Sequence, residues 1–114
     1  MADSRFNREL LARFPHCYVS PSGAEVWVRK EHALAAVDLA QGRGLPLLGM
    51  EGFVVGESGV YPAMSRIADF SYDSFAGDPY ECARTLLNGE WSSPPEDVHP
   101  DAEGDYMIDI VVED

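Results

Sequence analysis

The longest apolar run in the chain extends from Leu45 to Val55 and is interrupted only by Pro46, Gly49, Glu51 and Gly52. As a β-strand, with side chains alternating between two faces, it sets Leu48, Met50 and Val54 on one side. Leu47, Gly49, Glu51, Phe53 and Val55 fall on the other. Two apolar faces describe a central strand covered on both sides, or one whose second face is a binding surface. A second strand is predicted over 65–71. The intervening Gly56–Met64 stretch, broken at Gly56-Glu57-Ser58-Gly59, exceeds a two-residue turn, so the pair reads as a hairpin with a protruding loop. Leu48, Met50, Val54 and Ile67 from these runs, with Ile110 from the end of the chain, are the expected core.

Helical periodicity appears in three places. In Ser4–Phe14 the residues Phe6, Leu10, Leu11 and Phe14 share one face, and Pro15 stops the helix. In Lys30–Gln41 an apolar stripe runs through Ala33, Ala36, Val37 and Ala40, widened by Leu34 and Leu39, with Gly42 placed as a left-handed cap. The third helix starts most clearly: Asp78 as N-cap, Pro79 in the first helical position, Glu81 completing a capping box, and Asn88-Gly89 as the end. Short strands are predicted at His16–Val19 and at Ala24–Arg29, where Trp27 lies opposite Val26 and Val28. The strand–helix–strand order over 24–55 fits a right-handed parallel crossover. Trp91–Gly104 holds three prolines and four acids and reads as an irregular surface loop. Asp105–Glu113 closes the chain as a strand, with Tyr106, Ile108, Ile110 and Val112 on one face and Asp109 on the other.

With 114 residues, 46% hydrophobic and 25% charged, the chain fits one globular domain able to bury a core without staples. These patterns together predict a single α+β domain. Its mixed or antiparallel sheet has four or five strands, with two or three helices packed mainly on one face. The charged N-terminus lacks the apolar core of a signal peptide, so a cytoplasmic location is expected. Cys17 and Cys82, without ligand spacing, read as small half-buried thiols.

Charge is the informative quantity. The net charge is -12; residues 1–44 contribute +1 and residues 45–114 contribute -13. From Glu90 onward there are nine acids and no lysine or arginine. Such a field repels nucleic acid and anionic membrane and attracts cationic proteins or metal ions. Its plainer meaning is solubility.

Three carboxylates, Glu51, Asp69 and Asp109, lie within predicted strands. Brought together, they would serve as an acid–base pair or bind a divalent cation. Apart, each faces solvent or pairs with Arg66 or Arg84. His16, His32 and His99 have no ligand spacing, and neither a G-x-S-x-G elbow nor a phosphate loop is present. No catalytic or cofactor motif stands out. Trp27, Tyr61, Tyr72, Phe75 and Trp91 lie outside the main apolar stripes, as interface anchors or as caps on a small core.

Three segments carry a family resemblance: VWVRKEHALAAVDLAQ (Val26–Gln41), GLPLLGMEGF (Gly44–Phe53) and RIADFSY (Arg66–Tyr72). Their order, over rather less than half of the chain, resembles small immunity proteins of bacterial polymorphic-toxin systems. The resemblance implies a cytoplasmic antidote, with no catalytic residues to carry over, that binds and blocks one cognate toxin domain; no cofactor or metal is expected. It transfers no contact residues. A cationic toxin such as a nuclease would suit the acidic surface, by electrostatic steering. From the residues themselves, the expected partner-binding surface joins the 56–64 stretch to the acidic loop, through Glu57, Tyr61, Trp91, Glu96, Asp97, Asp101 and Glu103. Two alternatives stand beside this reading. One is a small enzyme or metal-binding protein using Glu51, Asp69 and Asp109; the other is an acidic housekeeping interaction module.

Overall fold

The computed structural model describes residues 4–71, 77–100 and 102–114. Helix α1 (Arg5–Arg13) begins where the Ser4 hydroxyl accepts a hydrogen bond from the Asn7 amide, at 2.9 Å. Its periodicity buries Phe6 and Leu10 and leaves Leu11 exposed. Strands β1 (Tyr18–Val19) and β2 (Val26–Arg29) follow as an antiparallel pair. A single 3-10 turn, Lys30–His32, then leads into α2 (Ala33–Gly42). Gly42 is the last helical residue; the left-handed position falls two residues later, at Gly44 (φ 69°).

Strand β3 (Leu47–Gly56) turns back into β4 (Gly59–Asp69). The protruding loop expected over 56–64 is absent. Gly56 pairs with Gly59, so Glu57-Ser58 is a two-residue turn, and residues 59–64 are strand. Pro62 is tolerated because β4 is an edge strand, where a missing N–H breaks no ladder. The additional length is absorbed by a register shift opposite Glu51–Phe53. Helix α3 (Pro79–Asn88) starts at Asp78, whose carboxylate accepts from the Tyr80 amide at 2.9 Å. Strand β5 (Asp105–Val112) ends the fold.

The sheet order is β1-β2-β5-β3-β4, antiparallel throughout. The fold is therefore the expected α+β domain with five strands and three α-helices among the described residues. Its middle strand is β5, not the long apolar run of β3. Strands β2 and β3 point the same way, as a crossover requires, but β5 lies between them and pairs with both.

The helices contribute Phe6, Leu10, Ala33, Ala36, Val37, Ala40, Ala83 and Leu87 to one core. It also holds Val26 and Val28 of β2, Met50 of β3 and Ile108 and Ile110 of β5. Met50, Val54 and Ile110 are buried as expected; Leu48 and Ile67 are not core residues. A register shift between Leu47 and Gly49 turns Leu47 inward and leaves Leu48 half-buried. Ile67, opposite Glu51, is 54% exposed on the far face of the sheet. No helix among the described residues is long and apolar enough to cross a membrane.

Candidate functional site

The helices supply no buried apolar residue to the second face of the sheet. Alternation assigns Trp27 of β2, Met107 and Asp109 of β5, Glu51, Phe53 and Val55 of β3, and Val60, Pro62 and Ile67 of β4 to it. Trp27 and Phe53 stack with ring centroids 3.9 Å apart, and Tyr18 lies 4.7 Å from Trp27 on the other side. Because β5 separates β2 from β3, the stack roofs β5. Met107 is 2% exposed and Asp109 7%.

Carboxylates gather beside this aromatic wall. Glu51 is the cross-strand partner of Asp109. The β2–β5 register, carried back one residue from Val28–Ile108, sets Trp27 on Asp109's other side. Glu25 lies at the rim and accepts the Trp27 indole N–H at 3.1 Å. Glu25, Glu51 and Asp109 line a cavity of about 400 Å3 with Ser4, Asn7 and Asp114. Burial, then the hydrogen bond and charge of Glu25, then the charge of Glu51, push the Asp109 carboxyl up to about 8; the Trp27 N–H opposes them. Burial beside Glu25 and Glu51 thus favours the neutral, protonated form of the Asp109 carboxyl.

Of the three strand carboxylates singled out in the sequence, Glu51 and Asp109 meet. Asp69 stands opposite Gly49, one pair along the same face. It accepts from the Ser71 amide and hydroxyl (2.9 and 2.5 Å), which hold its carboxyl below the usual range. Arg66 pairs with neither Glu51 nor Asp69. It is buried on the other face, 3.8 Å from Glu90, and reaches the Ser93 carbonyl at 3.4 Å. Glu25 falls inside the strand expected over 24–29, on the Trp27 face, but just before the observed β2, and nothing local links it to a residue 84 positions away. Among the described residues no group of three or more His, Cys, Asp or Glu side chains is arranged to hold a metal ion.

The two segments expected to form a partner surface do lie together. Tyr61 stacks on His99 (5.7 Å), and Asp97 accepts from the Ser65 amide and hydroxyl at 2.7 and 2.9 Å. Within that surface, however, Trp91 is not an exposed anchor. It is 2% exposed, belongs to the main core, and its carbonyl accepts from the Tyr106 hydroxyl. Glu57, Glu96 and Glu103 are exposed and Tyr61 is half-buried; Asp101, with Tyr72 and Phe75, lies outside the described residues. Cys17 and Cys82 are half-buried free thiols, and burial raises the Cys17 pKa.

Comparison with protein-family models, curated proteins and solved structures returned no match.

Proposed function

We propose that this protein is a non-enzymatic binder of a cationic protein domain, and that it acts as an immunity protein neutralising a bacterial toxin domain in the cytoplasm. The observation that carries this reading is uncompensated negative charge. Arg13, Arg29, Arg43, Arg66 and Arg84 each stand within 4 Å of a carboxylate of the chain itself, at 3.7, 2.7, 2.9, 3.8 and 2.7 Å. The few cations are thus largely neutralised internally, and a net charge of -12 faces outward. A surface of this kind steers basic domains toward it and repels nucleic acid and anionic lipid. The antidote role follows from the resemblance carried by Val26–Gln41, Gly44–Phe53 and Arg66–Tyr72.

Co-expression tests the reading. The product of the neighbouring reading frame, expressed alone, is expected to arrest growth; with this protein it should not, and the two should co-purify as an equimolar complex. Growth arrest that persists beside a folded, abundant copy of this protein would overturn the antidote role.

A second reading, acid–base catalysis, is favoured by one observation: a carboxyl near pKa 8 beside Glu25 and Glu51 in an open cavity. It predicts turnover of a small substrate that Asp109→Asn abolishes. The binding reading predicts that Asp109→Asn leaves partner capture intact.

A further inference from the structure

We infer that the helix-free face of the sheet is the docking surface, and that it receives a cationic protein segment presenting an apolar side chain next to an arginine or lysine. This rests on the proposed reading of the protein as a binder of a cationic domain, and adds to it the surface and the chemistry of the contact.

Apolar exposure and charge coincide on this face. Along β4, Val60 is 39% exposed, Ile67 is 54% exposed and Pro62 is exposed, each directly opposite a β3 residue of the same face: Val55, Glu51 and Phe53 respectively. These positions form a stripe at the sheet edge, backed by the half-buried Phe53 and the Trp27–Phe53 stack. A ridge of this kind gives a partner's apolar residue a seat that no described helix covers, α1 reaching only the cavity at the Glu51 end through Asn7.

Immediately beside the stripe lie acids. Glu51 is the cross-strand neighbour of both Ile67 and Asp109, and it forms no ion pair with any described residue. Asp69 sits one pair further along. Among the strand residues of this face the one basic side chain is Arg29, already 2.7 Å from Asp105. A guanidinium or ammonium delivered to Glu51 would find an unpaired carboxylate with aromatic surface next to it, the setting in which charge-assisted hydrogen bonds and cation–π contact add.

The same charge excludes other occupants. A second copy would set Glu51 and Asp69 against like charges, with -12 facing -12. The loop side is a poorer seat, because Trp91 is buried in the core and Asp97 is committed to Ser65.

The test uses the isotope-labelled full chain titrated with a capped peptide alternating arginine and leucine, and with its glutamate–leucine counterpart. The basic peptide is expected to shift the amides around Glu51, Phe53 and Ile67; the acidic one should shift none. Ile67→Ser and Glu51→Gln change exposed or half-exposed groups, so both should still fold cooperatively. Each should weaken the basic peptide about five-fold or more, whereas Glu81→Gln, an exposed change on α3, should not. If the basic peptide binds but its shifts map to residues 91–104, or both variants bind it undiminished, this surface is wrong while the cationic-partner reading stands. If the basic peptide does not bind at all, both fall. Concentration-dependent dimerisation abolished by Ile67→Ser would make a second copy the occupant and overturn the inference.

Discussion

The ring of Trp27 on β2 stacks on that of Phe53 on β3, 3.9 Å away and within 6° of parallel, although their strands are not neighbours. Two strand spacings, roughly 10 Å, separate the backbones, so both rings lean over β5 to meet. The contact ties the two strands that flank the middle of the sheet and shelters Met107 and Asp109. A double-mutant cycle on Trp27→Leu and Phe53→Leu should therefore show coupling of about 0.5–1.5 kcal/mol, the range for aromatic pairs. Additive effects in urea titration would mean that the rings do not meet in solution.

Asp109 makes stability depend on pH. Its carboxyl is raised from 3.8 to about 8, first by burial and then by Glu25 and Glu51, so the folded state binds a proton that the unfolded state releases. Stability from this group is complete below about pH 4 and is lost progressively as pH rises through about 8. Asp109→Asn keeps a donor toward Glu25 and cannot ionise. Its unfolding free energy should stay flatter than the wild type's over that window, with a difference on the order of a few kcal/mol at the alkaline end. Parallel curves for the two proteins would show that Asp109 is ionised in the folded state at neutral pH.

Trp91 and Tyr61 should separate cleanly. Trp91 is a fully buried core residue, and truncation to alanine should cost about 3–5 kcal/mol in denaturant titration. Tyr61 is half-buried, with its hydroxyl on Ser58 Oγ at 3.1 Å, and Tyr61→Ala should cost about 1 kcal/mol or less. Equal losses would contradict the burial of Trp91 under the loop.

The core contrast runs the same way along the hairpin. Met50, with no exposed surface, should lose about 2–5 kcal/mol on truncation to alanine. Ile67→Ser, on the exposed face, should stay within about 0.5 kcal/mol of wild type. A large loss at Ile67 would mean that something within the chain covers that face.

Long-range charge should act on association rather than on dissociation. Glu57, Glu96 and Glu103 are exposed, and none appears in an ion pair with a described residue. Replacing all three with glutamine should slow capture of a cationic partner at low salt and flatten its salt dependence, leaving the dissociation rate nearly unchanged. Surface plasmon resonance at two ionic strengths reads both rates. An unaltered association rate at low salt would reduce these acids to solubilising groups.

The features that could be read along the chain are the local ones. The Ser4 and Asp78 caps, Pro79 at the start of α3, the α1 and α2 stripes, the alternation in 105–112 and the irregular 91–104 loop all depend on residues a few positions apart. A cap bonds within three residues, and a helix face repeats every three or four, so neighbours suffice. The single α+β domain with helices on one face follows from those elements and from the need to bury their apolar sides.

Pairing between distant segments had to come from the tertiary structure. Inserting β5 between β2 and β3 joins residues roughly fifty to eighty positions apart, and no local pattern states which strand takes that place. The Glu51–Asp109 pairing and the Trp27–Phe53 stack exist only because of that insertion. Register decided the rest. A two-residue turn at Glu57-Ser58 made 59–64 strand instead of loop, and one irregularity exchanged the places of Leu47 and Leu48. Because side chains alternate every residue, a single shift moves a position from the core to the other face. Trp91 sits in a loop by every local signal and in the core by packing, because a large ring is buried wherever the fold leaves it room.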